Sequence, residues 1–364
     1  MENSDEFYMK RAITLARKAI GRTCPNPLVG AVIVKDSKIV GEGYHKRAGM
    51  PHAEIEAINA VRDPSLLYGA TMYVNLEPCN HFGKTPPCSV AIYKSGIKRV
   101  VIGMRDVNEV ARGGVEFLRS RGIEVKVGVL EDEARKLNEV FIENVTKKKP
   151  FFVMKAAMLL NGSITLKGGV SKWITSEASR RIVHRLRAQY GAVAVGINTV
   201  LMDDPLLTCR LKGYRQPKRL VFDANLRIPV SSNIFSQYTK NVYVITSKEA
   251  DQSRKSVLRA MNINVIECST KNGEFEPQEL CERLLENEVC ACMIEGGSRT
   301  HGYFIRHRLY NKAHLFYAPG IAGSYGAFNV VGSDAPGDFG GVSFLKDIKC
   351  RIIDDRDILV EGYF

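Results

Sequence analysis

A chain of 364 residues is long for one hydrophobic core, so two domains are expected. Its 45% hydrophobic and 25% charged residues suit a globular fold, and no run nears the ~18 uninterrupted apolar residues of a membrane span. The formal charge of +13 favours anionic partners, nucleic acid or phosphorylated small molecules, over acidic ones. A solvated basic surface explains the same charge, and the triplet Lys147-Lys148-Lys149 is too short for a nucleic-acid arm. The acidic start Met1-Glu2-Asn3-Ser4-Asp5-Glu6 lacks the basic and apolar regions of a signal peptide. Nine cysteines, an odd number with some in apolar runs, suit a reducing cytoplasm better than a disulfide framework.

Glu6 to Ile20 carries apolar residues at helical spacing, and Gly21 stops it. Cys24-Pro25-Asn26-Pro27 is a loop, because two prolines exclude a helix interior and a central strand. Leu28 to Val34 and Lys38 to Gly43 read as strands around a turn. Pro51 opens a helix continued by Ala53 to Val61, and Ala70 to Leu76 is a strand ending at Glu77-Pro78-Cys79. Pro86-Pro87 open a helix from Cys88 to Ser95. Strand Arg99 to Met104, a helix at Val115 to Arg121, strand Glu124 to Val127 and a helix from Asp132 to Thr146 complete a βαβ alternation. Residues 1–146 form the expected first domain, 147–150 a linker and 151–364 the second domain.

The second domain restarts with strand Phe151 to Met158 and a loop from Asn161 to Val170. A helix follows to Gln189 with Ser176 as its N-cap, then strand Ala192 to Ile197. Further strands are expected at Arg219–Phe222, Val242–Thr246, Asn264–Glu267, Val289–Glu295 and Ala313–Ala318, with helices between several. Antiparallel strands Val342–Ile353 and Asp357–Tyr363 finish the chain.

The most informative stretch runs from Pro51 to Cys88. His52, Cys79 and Cys88 offer one imidazole and two thiolates, and Glu54 is a spare carboxylate two residues after the histidine. Three protein ligands leave one position of a Zn²⁺ ion for water, the arrangement of a catalytic site. His-x-Glu followed by Pro-Cys-x-x-Cys marks nucleobase deaminases; here eight residues separate the cysteines instead of two. Glu54 would take a proton from the water and hand it to an exocyclic amine that leaves as ammonia. The N-terminus of the Cys88 helix favours that residue's thiolate. His81 is a weaker spare ligand, and His45 reads as a substrate contact.

These residues resemble the bifunctional riboflavin-biosynthesis deaminase/reductase family. The likeness rests first on Pro25-Asn26-Pro27-Leu28-Val29-Gly30, Val40-Gly41-Glu42-Gly43-Tyr44-His45, His52-Ala53-Glu54 and the stretch from Glu77 to Cys88. The eight-residue gap is typical of that family. In the second half it rests on Lys155-Ala156-Ala157, Trp173-Ile174-Thr175-Ser176, His184 to Ala188, Asp203 to Arg210 and Ile294-Glu295-Gly296-Gly297. Leu159-Leu160-Asn161-Gly162 stands where the family usually has Ser-Leu-Asp-Gly, and Tyr310-Asn311-Lys312 where it has Val-Asp-Glu.

The resemblance implies an α/β fold in two parts, a cytidine-deaminase-like αβα domain with a mixed sheet and a dihydrofolate-reductase-like α/β domain. It implies deamination of 2,5-diamino-6-(5-phosphoribosylamino)pyrimidin-4-one with one Zn²⁺ per chain, then reduction of the ribose to ribityl with NADPH. Asn26, His45, Lys84 and Thr85 would hold substrate in the first site. Lys155, Ser171, Arg187, Leu207, Arg210 and Glu295 would hold it in the second. Ala157, Trp173, Thr199, Asp203 and the segment Gly297, Ser298, Arg299, Thr300, His301, Gly302, Tyr303 would contact NADPH. The loop carrying Lys84 and Thr85 would reach the phosphoribosyl group. A homo-oligomer, dimer or tetramer, is implied, with neither nucleic acid nor membrane as partner. Two other readings compete: a nucleic-acid base deaminase with an accessory domain, and a non-catalytic zinc module with His81 as fourth ligand. The first leaves the reductase motifs unexplained.

Overall fold

The computed structural model describes residues 4–82, 86–164, 174–323, 328–332 and 342–364. They pack as two compact units, Met1–Lys148 and Lys149–Phe364.

In the first unit the elements are α1 (Ser4–Arg17), β1 (Gly30–Lys35), β2 (Lys38–Tyr44), α2 (Ala53–Asn59), β3 (Thr71–Leu76), α3 (Cys88–Lys94), β4 (Arg99–Met104), α4 (Gly114–Ser120), β5 (Glu124–Val127), α5 (Glu131–Leu137) and α6 (Glu139–Lys147). The sheet runs β2-β1-β3-β4-β5, mixed because β1 is antiparallel to both its neighbours while β3, β4 and β5 are parallel. Strands β3 and β4 are buried along almost their whole length, which explains their mainly apolar sequences. Ala53, Ala57, Val74, Ile92 and Ile102 belong to one apolar cluster and Met9, Ala16's neighbour Leu15, Val32 and Val101 to another.

Two close approaches explain glycine motifs. A Cβ at Gly41 would lie 2.4 Å from the Ala57 carbonyl oxygen, and one at Gly43 2.4 Å from the Ala57 amide nitrogen. Only bare backbone on that face of β2 lets α2 come so near, and α2 carries Glu54. Asp5 ties α1 to the sheet. Both its oxygens accept from Arg99 at 2.9 Å, and it also takes Lys126 Nζ at 2.9 Å and the Tyr73 hydroxyl at 3.0 Å. Those donors, Arg99 foremost, hold its carboxyl well below the usual range.

The helix expected from Asp132 to Thr146 is broken. Asn138, at φ −100° and ψ 18°, separates α5 from α6. Its side chain is committed elsewhere: Oδ1 accepts from Leu28 N at 2.8 Å and Nδ2 donates to Leu28 O at 3.1 Å. Serving a loop from a helix break is a contact that local periodicity cannot register.

The second unit contains β6 (Phe151–Leu159), α7 (Glu177–Tyr190), β7 (Ala192–Gly196), α8 (Ile197–Asp203), β8 (Lys218–Phe222), β9 (Val242–Ser247), α9 (Gln252–Ala260), β10 (Asn264–Cys268), the short pair β11 (Thr270–Lys271) and β12 (Glu274–Phe275), α10 (Pro277–Glu286), β13 (Ala291–Ile294), α11 (Ser298–Arg306), β14 (Tyr310–Ala318), β15 (Lys346–Ile353) and β16 (Asp357–Tyr363). Its main sheet is ordered β10-β9-β8-β7-β13-β6-β14-β16-β15. Pairing is parallel from β10 to β14 and antiparallel at β16 and β15. The expected α7 cap is present: Ser176 Oγ accepts from Ser179 N at 3.2 Å.

Ile197, expected to end strand β7, instead begins α8, a helix the apolar run had masked. The switch falls at Gly196, where a Cβ would lie 2.4 Å from Thr300 Oγ1. The two departures from the family pattern are locally satisfied. Asn161 Nδ2 donates to Ala322 O at 2.8 Å, and Asn311 Oδ1 accepts from Phe152 N at 3.0 Å. Among the described residues no helix is long and apolar enough to cross a membrane.

Candidate functional sites

In the first unit three elements aim their ends at one point. His52 is the N-cap of α2 with extended backbone, and it makes no side-chain cap bond, so its imidazole is available. Cys79 follows β3, and Cys88 is the first residue of α3. His52 Nδ1 lies 3.6 Å from Cys79 Sγ and 3.3 Å from Cys88 Sγ, and the three candidate ligand atoms fall within 4.8 Å of one another. The Cys88 amide points at Cys79 Sγ from 3.4 Å.

Glu54, in the first turn of α2, is 3% exposed. Burial, then the Cys79 thiolate, pushes its carboxyl up to about 7, a value suited to exchanging protons near neutral pH. Cys79 is held down at about 4, first by the Cys88 thiol, with His52 also contributing. Cys88 is pushed up, because the proton the two sulfurs share stays on it and it is buried. A dication at the centre would displace that proton and hold both as thiolates. One imidazole and two thiolates, close-set and partly buried, fit Zn²⁺. His81 is not part of this group.

Next to this cluster lie His45 and Asn26. His45 is 2% exposed; its Nδ1–H donates to Pro51 O at 3.1 Å and its Nε2 accepts from Asn26 Nδ2 at 3.1 Å. A carbonyl can only accept, so the proton sits on Nδ1. Its ring lies edge-on to that of His52, with centroids 5.5 Å apart. Asn26 is steadied from behind: Asn75, fully buried, accepts from Gly30 N at 2.8 Å and donates to Leu28 O at 2.9 Å, beside the bonds from Asn138. Glu77, 2% exposed, is no ligand. Its oxygens collect the amides of Asp106, Gly113 and Val115 at 3.1–3.2 Å and so pin the loop beneath Cys79. Asn75, Asn138 and Glu77 escape sequence reasoning because support of a distant loop leaves no periodic trace. Lys84 and Thr85 lie outside the described residues.

In the second unit a cleft of about 1060 Å³ opens where β6, β7, β8 and β13 end. This is the crevice where open parallel sheets bind ligands. It gathers Lys155, Ala157, Arg187, Thr199, Asp203, Leu207, Arg210 and Glu295, together with Gly297, Ser298, Arg299, Thr300, His301 and Tyr303. Gly302 does not line it, and Ser171 and Trp173 lie outside the described residues.

The cleft centres on Glu295. Arg187 grips it with a fork, Nε to Oε1 at 2.6 Å and Nη2 to Oε2 at 3.0 Å, while Lys155 Nζ stands 3.7 Å from Oε2. Burial alone would raise the Glu295 carboxyl; the cations Arg187 and Lys155 override it and hold the group at about 2. Burial lowers the Lys155 ammonium. Arg187 Nη1 donates to Thr208 O at 2.9 Å. The paired donors of Arg187, a residue the resemblance assigned to substrate, are therefore spent largely on Glu295, and Arg210, exposed in the cleft wall, is the freer cation.

Gly297 caps α11, so the amides of its first turn have no helical partners and line the cleft. A Cβ at Gly296 would come within 2.5 Å of Thr300 Cβ, so the glycine keeps room beside that turn. Open amides at a helix start suit a cofactor diphosphate. His301 is 1% exposed, with Nδ1 2.6 Å from the Tyr310 hydroxyl, and burial lowers it to about 3. His184, Asn198 and Arg227 also line the cleft and were given no site role from the sequence.

Comparison with known proteins follows the same division. The family model "Cytidine and deoxycytidylate deaminase zinc-binding region" matches residues 2–104, and the model "RibD C-terminal domain" matches residues 150–351. The chain is 44% identical over 349 residues to the riboflavin biosynthesis protein RibD of Aquifex aeolicus (strain VF5), covering 95% of this chain and 94% of that protein. It is 36% identical to RibD of Escherichia coli (strain K12), over 88% of this chain and 89% of the relative. Among solved structures it resembles a diaminohydroxyphosphoribosylaminopyrimidine deaminase/5-amino-6-(5-phosphoribosylamino)uracil reductase from Thermotoga maritima, with a TM-score of 0.87 and 41% identity over 99% of this chain and 98% of that one. Acinetobacter baumannii RibD matches with a TM-score of 0.87 and 33% identity, covering 99% of both chains. The reductase match disfavours the reading as a nucleic-acid base deaminase with an accessory domain. The chain belongs to the RibD family of riboflavin biosynthesis proteins, and it is a bifunctional enzyme with a zinc-binding deaminase domain and a reductase domain.

Proposed function

We propose that the first unit deaminates 2,5-diamino-6-(5-phosphoribosylamino)pyrimidin-4-one to the corresponding uracil, and that the second reduces the ribose of that product to ribityl with NADPH. The observation that carries the reading is the presence on one chain of two sites with complementary chemistry. One joins His52, Cys79 and Cys88 to a buried carboxyl poised at about 7; the other joins Lys155, Arg187 and Glu295 in a cleft with open helix amides.

In the deaminase site His52, Cys79 and Cys88 hold one Zn²⁺ per chain. The ion supplies Lewis acidity that makes water nucleophilic near neutral pH. Glu54 accepts the proton of the attacking water and returns it to the departing amine, so ammonia leaves. Asn26 and His45 orient the pyrimidine, and Lys84 and Thr85 reach the phosphoribosyl group.

In the reductase site NADPH supplies the hydride. Ala157, Trp173, Thr199, Asp203, Gly297 to His301 and Tyr303 would bind it, the open amides that begin α11 suiting its diphosphate. Lys155 and Glu295 hold the reacting sugar, and Ser171, Arg187, Leu207 and Arg210 hold the rest of the substrate. The protein works in the cytoplasm as a homo-oligomer, dimer or tetramer. A coupled assay on the purified chain with Zn²⁺ and NADPH, following ammonia release and NADPH absorbance separately, tests the scheme. His52→Ala is expected to stop ammonia release while reduction of the supplied uracil intermediate continues. Loss of reduction with deamination intact would refute the division of labour.

A further inference from the structure

We propose that His184 is a positioning residue of the reductase site: it anchors Arg210 by the inner edge of its guanidinium and leaves the outer nitrogens to take the phosphate of the substrate. This rests on the reading of the cleft as the reductase site and adds a residue that reading does not contain.

His184 and Arg187 are three residues apart on α7, so they share a helix face. Both line the cleft, and both hold the segment that follows α8. Arg187 takes the Thr208 carbonyl, and the Cys209 thiol donates to the His184 backbone carbonyl at 3.2 Å. The His184 ring is 7% exposed.

Its Nε2 accepts from Arg210 Nε at 3.2 Å. An arginine Nε–H can only donate, so Nε2 carries no proton and the ring is neutral with its proton on Nδ1. The Arg210 amide lies 3.4 Å from Nδ1, beyond the range of a strong bond. Burial, then the flanking cations Arg187 and Arg210, keeps the ring neutral.

The geometry divides the work between two arginines. Arg187 is locked to Glu295 and Thr208. Arg210 is tied only through Nε among the described residues, and its four Nη hydrogens form the free half of a fork in the wall of the cleft. A phosphate monoester is the ligand such a fork suits. A lysine in place of Arg210 would have no Nε–H for His184 to hold.

Steady-state reduction of the phosphoribosylamino uracil by the full-length protein tests this, with the dephosphorylated analogue as second substrate. Thermal melting checks that each variant folds. His184→Leu is expected to raise KM for the phosphorylated substrate by roughly tenfold, the order of one charge-assisted hydrogen bond, with kcat changed far less. KM for the dephosphorylated analogue and for NADPH should stay put. His184→Gln, whose carbonyl oxygen can accept from Arg210 Nε, should recover most of the loss. In an Arg210→Met background, His184→Leu should add nothing further. If His184→Leu raises KM equally for both substrates, or still raises it in Arg210→Met, the positioning role is wrong. If the wild type reduces neither substrate, the reductase reading itself fails, a result distinct from either.

Discussion

Replacing Glu295 by glutamine removes one charge and almost no volume, so it isolates the electrostatics of the reductase cleft. The carboxylate faces Arg187 at 2.6 and 3.0 Å and Lys155 at 3.7 Å, and the three side chains are only 10%, 13% and 15% exposed. In Glu295→Gln two cations would stay buried with no anion between them, and the amide nitrogen would face an arginine donor. Breaking a buried pair from one side costs about 3–5 kcal/mol. The variant should therefore lose about 3 kcal/mol of stability, seen as a fall of roughly 6–12 °C in the midpoint of a unit of this size. The pH dependence has a definite sign. A carboxyl held at about 2 in the folded state contributes stability that is present above its unfolded value and lost as pH falls through about 2. The gap between wild type and variant, read by chemical denaturation at several pH values, should be full at pH 7, narrow as pH falls below the unfolded carboxyl value, and close only below about pH 2. Arg187→Met combined with Glu295→Gln should be less destabilised than Glu295→Gln alone. A loss below about 1 kcal/mol at pH 7, or a gap that does not depend on pH, would refute the argument from buried charge.

Three other expectations rest on single contacts. Gly114→Ala would place a Cβ 1.9 Å from the Pro78 carbonyl oxygen, so Pro78-Cys79 must shift; zinc content measured by atomic absorption should fall together with deamination, and full zinc occupancy would contradict it. Asn138→Ala deletes both bonds to Leu28 and strands a backbone amide, which should cost about 1–3 kcal/mol in urea unfolding. His301, lowered by burial to about 3 from an ordinary 6.5, favours the folded state most above pH 6.5 and loses that contribution as pH falls toward 3. His301→Phe should therefore flatten the stability–pH slope between pH 6 and 4 by about 1.4 kcal/mol per unit, and an unchanged slope would count against it.

The chemistry of both sites is written locally, which is why so much of it could be read without coordinates. His52-Ala53-Glu54 sits at a helix start and Cys79 at a strand end, and both starts and ends are set by neighbours in sequence such as Pro51 and Pro78. The three candidate ligands do converge. Apolar composition likewise marked the central strands, which are buried along almost their whole length. Periodicity failed at Asn138 and Ile197. At the first, a side chain needed by Leu28 interrupts a helix. At the second, the strand ends at Gly196, which lies too close to Thr300 to carry a Cβ.

What tertiary structure alone decided is which polar groups are already satisfied. From sequence, the resemblance assigned Arg187 and Arg210 alike to the substrate. Folding brings Glu295, 108 residues away, onto Arg187 and His184 onto Arg210, so one guanidinium is consumed and the other is aimed. Likewise Glu77 stands two residues before the candidate ligand Cys79, yet its carboxylate serves three backbone amides. Residue type and spacing determined the kinds of donors and acceptors each site would contain. Their pairing, and hence which remain free for a ligand, depends on contacts between distant segments that no local pattern records.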